Sequence, residues 1–551
     1  MLKSNKPLLI TGLLFVIVIS IASIIPGNRY FEIAKNLDVF ASLYKEVNTY
    51  YVDEVNPNKL MRSGIDAMLA SLDPYTNYIS ENEIEDYRTA NTGEYGGIGV
   101  VTTNINGHTK VILVNENYTA HKNGIKTGDE IIEVDGTNIV GMSSIETNVI
   151  MKGQAGSIVN LKIKRHNEPI SINFTLEREK VSIEHVPYFG MLDNEVGYIK
   201  LTEFTMHVSK DMKESVTALK NKGAKKLVFD LRDNPGGLLM EAVNICNIFI
   251  DKGQKIVETK GKITKNNLVY KTTTNPLDTE IPIVVLINSG SASASEIVAG
   301  TLQDYDRAVI VGEKSYGKGL VQVPRPLSYN SQLKVTTAKY YTPSGRCIQA
   351  LDYGNRNPDG SVGKIPDSLI SEFKTKIGRS VFDGGGVDPD ISIPSEKMAP
   401  VSASLFLTGL TFDYATEYYY KHKVIPSSDK FSLTNTEYED FKSWLKTQNY
   451  QYQSDTELQL DSIEKLAKKE MYYEKIEDNI ARLRKIIAED KSQLLTTYQS
   501  QISRLIEQDI ATHYYFERGK VQSSLKSDPQ LQSAMEVLKD TPRYSEILGN
   551  I

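Results

Sequence analysis

A serine and a lysine that lie 25 residues apart are the side chains of this chain best suited to covalent chemistry. Ser293 lies in the run Ser291 to Glu296, and Lys318 stands between two glycines. A serine hydroxyl is a weak nucleophile until a base removes its proton, and a lysine that burial keeps neutral can be that base. The pair therefore predicts acyl transfer through a serine, provided that the fold brings the two residues together.

The segments around Ser293 predict a strand, a turn and a helix. The apolar residues Ile283 to Ile287 predict a buried strand, and a helix is predicted from Glu296 onward. This order places a serine at a helix N-terminus, where free N–H groups and the helix dipole favour an oxyanion. A purely structural alternative exists, because Ser293 followed three residues later by Glu296 also fits a capping box.

Short motifs along residues 40–395 follow one another in a specific order. They are Tyr51-Val52-Asp53, Leu72 to Tyr78, Gly97-Ile98-Gly99-Val100, Gly124 to Asp129, Asp230 to Gly237, Ser291 to Glu296, Gly317 to Gln322, Thr342 to Arg346 and Gly384 to Asp390. In this order they resemble the carboxy-terminal processing peptidases, also called tail-specific proteases. The resemblance implies a serine–lysine peptidase that contains a PDZ domain.

By position, the resemblance implies that Ser293 is the nucleophile, Lys318 the general base and Gln322 the residue that orients the lysine. Ser291 and Ser295 are the serines that a shift in register would select, and the family's spacing favours Ser293. A glutamine amide can accept a hydrogen bond from the lysine without adding a charge. The alternative for Gln322 is an exposed strand residue.

The resemblance also implies an oxyanion hole built from backbone N–H groups. One comes from Ala294 and the other from the glycine turn, where the sequence does not choose between Gly236 and Gly237. Glycines allow positive φ and close approach of a substrate carbonyl. Asp304 matches a carboxylate that supports the site in some family members, and a structural role at a helix end explains it equally well.

Residues 89–180 alternate short strands with glycine turns, and they resemble a PDZ domain. Such a domain adds a peptide's carboxy terminus as an extra strand and holds the carboxylate with backbone N–H groups. The resemblance implies that Gly97, Ile98, Gly99 and Val100 form the loop whose backbone N–H groups hold the carboxylate. Lys152 stands where many relatives carry an arginine that couples peptide binding to the peptidase. The lysine keeps the charge and loses the two-pronged geometry.

The order of elements predicts a multidomain α+β protein. The resemblance implies a crotonase/Clp-protease-like α/β catalytic domain beside the PDZ domain, with an N-terminal helical segment and a C-terminal helical region. One amphipathic helix is predicted over residues 465–491. The predicted boundaries are 1–29 for a signal peptide or membrane anchor, 30–88 for a helical cap, 89–180 for the PDZ domain, 181–395 for the peptidase and 396–551 for the C-terminal region.

Composition and charge restrict the partners, cofactors and cellular compartments that this chain can have. A net charge of −6 over 551 residues predicts no attraction to nucleic acid. The two cysteines imply no disulfide framework, and the histidines stand singly, so neither a metal nor another cofactor is predicted. Lys3 and Lys6 precede an apolar run from Leu8 to Ile25. A cleaved signal peptide and a retained anchor would both export the body, and the apolar residues that continue to Pro26 favour the anchor. The resemblance implies that the body lies on the periplasmic side of the bacterial envelope.

Two functions remain. The first is an endopeptidase that recognises unstructured or apolar carboxy-terminal tails and cleaves through an acyl-enzyme. The second is a catalytically silent PDZ scaffold that only binds such tails. The intact Ser293, Lys318 and Gln322 favour the enzyme. The C-terminal region is predicted to be a packing or homodimerisation module, with adaptor binding as the alternative, and the sequence leaves open whether the PDZ domain activates or inhibits.

Overall fold

A computed structural model describes residues 27–448, 450–491 and 493–549 of the chain. The chain separates into two compact units, which are residues 1–78 and 79–551. The apolar run from Leu8 to Ile25 lies outside the described residues. Within the described ranges, no helix is long and apolar enough to cross a membrane.

The first unit, in its described part, is helical. It contains α1 (Gly27–Tyr50) and α2 (Pro57–Ala70), and the short strand β1 (Asn77–Ile79) follows. Asn56 caps α2, because its Oδ1 accepts the N–H of Lys59 at 3.1 Å. After α2 the chain turns at Asp73, whose carboxylate accepts the N–H groups of Tyr75 and Thr76. The pair Asp73-Pro74 predicts this break, because a proline disfavours a helical conformation at the residue before it.

The second unit begins with α3 (Ile84–Thr92) and continues into a β-rich module, residues 94–182. Its five principal strands lie in the order β3-β4-β5-β7-β8 and are antiparallel, so β3 is an edge strand. The core is a cluster of small and branched apolar residues. The bounds are β2 (Glu94–Gly97), β3 (Val100–Ile105), β4 (His108–Val114), α4 (Thr119–Lys122), β5 (Glu130–Val134), β6 (Thr137–Asn138), α5 (Ser144–Met151), β7 (Ile158–Lys164), β8 (Ile172–Glu177) and β9 (Glu179–Ser182).

An α/β module, residues 188–393, follows. Its main sheet has the order β10-β11-β12-β15-β16-β23 and is parallel except for β10. The bounds are β10 (Tyr188–Met191), β11 (Val196–Lys200), α6 (Val208–Asn221), β12 (Lys226–Asp230), α7 (Leu239–Phe249), β13 (Lys255–Gly261), β14 (Leu268–Lys271), β15 (Ile283–Ile287), α8 (Ala294–Asp304), β16 (Val309–Gly312), β17 (Leu320–Pro326), β18 (Gln332–Tyr341), β19 (Leu351–Arg356), β20 (Val362–Lys364), β21 (Glu372–Lys374), β22 (Ser380–Phe382) and β23 (Ile391–Ser392).

Both faces of the main sheet are covered, which explains why β15 is apolar at every position. Ile283, Val285 and Ile287 pack with α6, α7 and α8 on one face. Val284 and Leu286 point to the opposite face, where C-terminal residues cover them. Successive side chains of a strand point to opposite faces, so a strand between two covered faces needs a continuous apolar run. A second set of strands, in which β13 and β17 pair with β18, carries the lysine segment.

The C-terminal helical module, residues 400–547, contacts both preceding modules. Lys110 of the β-rich module lies 2.5 Å from Asp413, and His166 lies 3.1 Å from Glu417. The last two helices cover the main sheet. The bounds are α9 (Pro400–Leu407), α10 (Leu410–Lys421), α11 (Asn435–Thr447), α12 (Asp455–Lys469), α13 (Glu477–Lys491), α14 (Leu494–Thr497), α15 (Gln499–Ser524), α16 (Pro529–Lys539) and α17 (Thr541–Ile547).

The single helix predicted over residues 465–491 is wrong. The chain leaves the helix after Lys469 and enters α13 at Glu477. Met471 adopts a left-handed conformation with φ of 59°, and the N–H of Tyr472 turns back to the carbonyl of Ala467. The apolar spacing that indicated one helix is therefore shared by two helices of a hairpin. Periodicity reports a helical face and does not report the turn that interrupts it.

Candidate active site

The structure separates the three neighbouring serines. Ser291 and Ser295 are fully buried. The hydroxyl of Ser291 donates to the carbonyl of Leu231 at 2.8 Å, and that of Ser295 donates to the carbonyl of Asn234 at 2.9 Å. Ser293 is half-buried and lies immediately before the first residue of α8. Of the three, Ser293 is the serine that a substrate can reach.

The backbone at Ser293 is held in an unusual conformation, with φ of 55° and ψ of −112°. A residue with a side chain rarely adopts positive φ, and such positions persist where the surroundings enforce them. Here the hydroxyl of Tyr340 donates to the carbonyl of Ser293 at 3.0 Å, and the N–H of Ser293 donates to Glu296 Oε2 at 2.8 Å. The capping contact that sequence offered as an alternative is present, and it leaves the serine at the helix N-terminus.

Glu296 connects the serine segment to the lysine segment. Its Oε2 accepts both the N–H of Ser293 at 2.8 Å and the N–H of Lys318 at 2.9 Å. Its Oε1 accepts the N–H of Gly317 at 2.7 Å and the hydroxyl of Ser315 at 2.5 Å. Two N–H groups that share one acceptor oxygen must lie within about 6 Å of each other. The fold therefore brings Ser293 and Lys318 together.

The Glu296 side chain is fully buried, and burial raises the pKa of its carboxyl. The donors that surround it, led by the Ser315 hydroxyl and the Lys318 N–H, act in the opposite direction by stabilising the charged form. The nearby Tyr340 hydroxyl has its pKa raised well above the usual value by burial and by the charge of Glu296. Tyr340 thus stays a neutral donor to the serine backbone.

Lys318 and Gln322 occupy the segment that leads into β17. Lys318 is half-buried and directly precedes Gly319 and the first residue of that strand. Gln322 is half-buried on β17, at a bulge against β18, and its Nε2 donates to Thr336 Oγ1 at 3.1 Å. This contact occupies the amide nitrogen of Gln322. Gln322 therefore lies on a strand and is half-buried, whereas the alternative predicted an exposed strand residue.

The glycine turn lies against the serine, and the structure distinguishes its two N–H groups. A Cβ added to Gly236 would lie 2.8 Å from Ser293 Cβ and 2.9 Å from the nitrogen of Ala294. The N–H of Gly236 donates to Asn234 Oδ1 at 2.9 Å. For the N–H groups of Gly237 and Ala294, no acceptor occurs in the described part of the chain. Of the three N–H groups predicted to bind an oxyanion, that of Gly236 already has an acceptor within the chain, and those of Gly237 and Ala294 remain available.

Asn234 was not identified from sequence, although it stands within the quoted motif Asp230 to Gly237. It is fully buried, and its Nδ2 donates to the carbonyl of Leu201 at 2.9 Å. Its own carbonyl accepts the N–H of Ala292 at 3.0 Å in addition to the Ser295 hydroxyl. Asn234 thus joins the glycine turn to the serine segment. Its position between Asp233 and Pro235-Gly236-Gly237 is the sequence signal that could have identified it.

Asp304 lies at the opposite end of α8 from Ser293, about 16 Å away at 1.5 Å per residue. Its carboxylate is buried, pairs with Arg346 at 2.9 Å and accepts the N–H of Ser344 at 2.9 Å. These contacts favour the structural alternative for Asp304, which anchors the segment that follows β18.

The carboxylate loop of the β-rich module also has free N–H groups. Gly97 ends β2, Ile98 and Gly99 lie between strands, and Val100 begins β3. The N–H groups of Ile98 and Gly99 have no acceptor among the residues that the structure describes. Gly99 has φ of 80°, and a Cβ there would lie 2.3 Å from Tyr118 Cβ. The Ile98 side chain is buried in the core, so this loop can offer a ligand its backbone.

Lys152 follows α5 at the border between the β-rich module and the preceding helix. Its Nζ lies 2.8 Å from Asp86 Oδ1 on α3 and 5.7 Å from the centre of the Tyr95 ring. The carboxylate of Asp86 is largely exposed, so this ion pair is a weak one.

Among the residues that the structure describes, no group of three His, Cys, Asp or Glu side chains is placed to hold a metal ion.

Family models match three parts of the chain. Residues 195–359 match peptidase family S41, residues 96–176 match the PDZ domain, and residues 401–538 match the C-terminal helical domain of probable PDZ-proteases. The chain is 36% identical over 371 residues to a carboxy-terminal-processing protease of Bartonella bacilliformis, covering 67% of this chain and 84% of the relative.

A probable CtpA-like serine protease of Staphylococcus aureus is 35% identical over 317 residues, covering 57% of this chain and 62% of the relative. Among solved structures, the photosystem II D1 C-terminal processing protease is 27% identical, with a TM-score of 0.35, and the match covers 64% of this chain and 92% of that one. The chain therefore belongs to the carboxy-terminal processing serine peptidases of family S41, with a PDZ domain and a C-terminal helical domain.

Proposed function

We propose that this peptidase is an endopeptidase that binds protein carboxy termini at the Ile98–Gly99 loop and cleaves upstream of them with Ser293 as nucleophile. The observation that supports the role of Ser293 best is the shared acceptor Glu296 Oε2, which binds the N–H groups of both Ser293 and Lys318. A serine and a lysine from distant segments are thereby joined beside the glycine turn.

The proposed reaction has two steps. In the first, the neutral Lys318 amine takes the proton of Ser293 Oγ while Oγ bonds to the scissile carbonyl carbon. The C–N bond then breaks, and the leaving amine takes that proton from Lys318. In the second, Lys318 takes a proton from water while the water oxygen bonds to the ester carbonyl carbon. The bond between that carbon and Ser293 Oγ then breaks, Oγ takes the proton from Lys318, and the acid product leaves.

Two backbone N–H groups would stabilise the negative oxygen of each tetrahedral intermediate. We assign them to Ala294 and Gly237, since neither has an acceptor in the described chain and Gly236 donates to Asn234. Gln322 is assigned the orientation of the lysine amine. Its amide nitrogen donates to Thr336, which leaves its oxygen as the atom to accept from Lys318.

Substrate recognition is assigned to the edge strand β3. A carboxy-terminal tail would add to β3 as a further strand, and its carboxylate would accept the N–H groups of Ile98 and Gly99. A segment must be unstructured before it can add as a strand, so this mode favours unstructured tails, and we propose apolar ends for them as a separate preference. Lys152 is assigned a weak role in coupling peptide binding to the peptidase, because its ion pair with Asp86 is exposed to solvent.

The decisive experiment is cleavage of an unstructured protein with an apolar carboxy-terminal tail by the full chain, with products identified by mass spectrometry. Ser293→Ala should abolish cleavage, while Ser289→Ala, a change at an exposed serine of the same turn, should not. Amidation of the substrate carboxy terminus should reduce cleavage and leave the cut position unchanged. Equal cleavage by wild type and Ser293→Ala would contradict the proposal.

The alternative function is a silent scaffold, and the same experiment separates it from the enzyme. A scaffold would bind the free tail and not the amidated tail, with no cleavage by either protein.

For the location, we propose the periplasmic side of the bacterial envelope, supported by Lys3, Lys6 and the apolar run that follows. Added protease should degrade the chain in spheroplasts, and full protection there would contradict this location.

A further inference from the structure

A carboxylate of the C-terminal helical module reaches the loop that carries the oxyanion glycines. Asp528 Oδ2 lies 2.6 Å from Nη2 of Arg232, the residue at the start of that loop. Gln530 Oε1 accepts a hydrogen bond from Nη1 of the same arginine at 3.0 Å. The side chains of Asp528 and Arg232 are 12% and 14% exposed, so the contact is shielded from water.

The contact completes a small buried cluster with balanced charge. Arg232 binds Asp230 with two nitrogens, at 3.0 Å and 2.6 Å. Lys200 Nζ lies 3.3 Å from Asp230, and the Tyr198 hydroxyl donates to Asp230 at 2.7 Å. Burial opposes ionisation of Asp230, but Arg232 and Lys200 hold the pKa of its carboxyl well below the usual range. Two cations thus face two carboxylates, and loss of Asp528 would leave one positive charge unbalanced.

From Arg232 the backbone runs directly into the glycine turn. The carbonyl of Arg232 accepts a hydrogen bond from Lys200 Nζ at 2.7 Å. The next residue, Asp233, has φ of 59°, and its N–H donates to Asn288 Oδ1 at 2.9 Å. Four residues later lies Gly237. The Arg232 side chain therefore fixes one end of the short segment that ends at Gly236 and Gly237.

Asp528 belongs to a part of the chain that is firmly placed on the main sheet. Its Oδ1 caps α16 by accepting the N–H groups of Gln530 and Leu531, each at 3.0 Å. Leu531 packs into the cluster that covers the sheet. The hydroxyl of Tyr544 hydrogen-bonds both the N–H and the carbonyl of Ile283 on β15. The carboxylate is thus presented to Arg232 by a rigid element.

We propose that Asp528 is a positioning residue for the peptidase reaction, which acts through Arg232 to hold residues 232–237 against Ser293 and Ala294. This inference rests on the proposed function, because it concerns the oxyanion hole of the same site. It makes the C-terminal helical domain a contributor to the geometry of the active site, in addition to any role in packing or assembly.

Two substitutions separate the charge of Asp528 from its capping role. Asp528→Asn keeps a good N-cap and removes the charge, whereas Asp528→Glu keeps the charge and is a poor N-cap. If the charge positions the loop, Asp528→Asn should lower kcat for peptide cleavage by about tenfold or more with KM within about twofold. This loss is smaller than the about 10²–10³ expected for removal of an oxyanion donor. Asp528→Glu should retain more kcat than Asp528→Asn.

A matched control lies in the same module. Asp540 caps α17 by accepting the N–H of Arg543 at 3.0 Å, and it is exposed. Asp540→Asn should leave both kcat and KM unchanged. If Asp528→Asn does not fold, Asp528→Ser provides the same test, because serine is also a good N-cap and removes the carboxylate that pairs with Arg232.

The readout is labelling of Ser293 by a fluorophosphonate in the full-length protein, whose rate depends on the oxyanion hole, together with kcat and KM. Slower labelling in Asp528→Asn, with partial recovery in Asp528→Glu, would support the proposal. Equal labelling in wild type and Asp528→Asn, or lower activity in Asp528→Glu than in Asp528→Asn, would overturn it. Failure to label the wild type would instead contradict the proposed nucleophile.

Discussion

Removal of the Asn234 side chain tests the proposed oxyanion hole directly. Its Oδ1 accepts the N–H of Gly236 at 2.9 Å, and its Nδ2 donates to the carbonyl of Leu201 at 2.9 Å. Asn234→Ala breaks both hydrogen bonds in a fully buried environment. The N–H of Gly236 and the carbonyl of Leu201 then lose their partners, and the glycine turn loses its main side-chain contact.

Each buried group left without a partner costs about 1–3 kcal/mol, so Asn234→Ala, which leaves two, should lower the free energy of unfolding by about 2–6 kcal/mol. The freed turn would displace the N–H of Gly237. Loss of one oxyanion donor lowers kcat by about 10²–10³. We therefore expect kcat to fall by about 10² or more with KM within about threefold, because a group that acts on the intermediate does not bind the substrate.

The matched control is Asn247→Ala. Asn247 is also buried, on α7, and its Nδ2 donates to the carbonyl of Thr274 at 2.8 Å. Its Oδ1 accepts the N–H of Thr273 at 3.0 Å and the N–H and hydroxyl of Thr274, each at 2.9 Å. Asn247→Ala should lose at least as much stability and keep its kcat. Stability is measured by urea denaturation, and kcat on a fluorogenic peptide at a temperature where both variants are folded. A kcat of Asn234→Ala within about threefold of wild type would refute the reasoning.

Three further changes test other parts of the structure. Gly236→Ala should abolish peptide cleavage, because the added Cβ would lie 2.7 Å from the carbonyl oxygen of Ala292. Gly253→Ala is the control and should stay active, since Gly253 has a similar φ and open space around it. Glu296→Gln leaves one acceptor oxygen for donors that now bind two, so the melting temperature should fall by several degrees and kcat should also fall. An unchanged melting temperature would contradict the bridging role of Glu296. Burial lowers the pKa of His513 to about 4, so its stabilisation is present above pH 6.5 and is lost as pH falls toward 4. Between pH 7 and 4.5, His513→Gln should lose about 2–3 kcal/mol less than wild type in urea titrations, and equal losses would exclude this source of acid sensitivity.

Local sequence patterns predicted the strand β15 and the helix α8 that follows Ser293. The apolar residues of β15 reflect the burial of both its faces, and a buried face imposes its spacing on the chain. The helix predicted over residues 465–491 failed for the same reason, since two helices of a hairpin can share one apolar spacing. Met471 carries no strong signal for the left-handed turn that it adopts.

The candidate site was predictable in part. The order of motifs identified the family and pointed to Ser293 and Lys318 as the reacting pair. It could not separate Gly236 from Gly237, because the difference lies in whether Asn234 accepts the N–H of one of them. That acceptor is visible only when the turn has folded back on itself.

The sequence by itself determined the class of protein, the order of its modules and the residue types available for acyl transfer, since these depend on local patterns and on motif order. The tertiary structure decided which serine is reachable, how Glu296 joins Ser293 to Lys318, and that Asp528 reaches Arg232. These contacts join residues far apart in the chain, and their hydrogen bonds depend on distances that no periodicity encodes. Burial then sets the strength of each contact, because it removes the water that would otherwise compete.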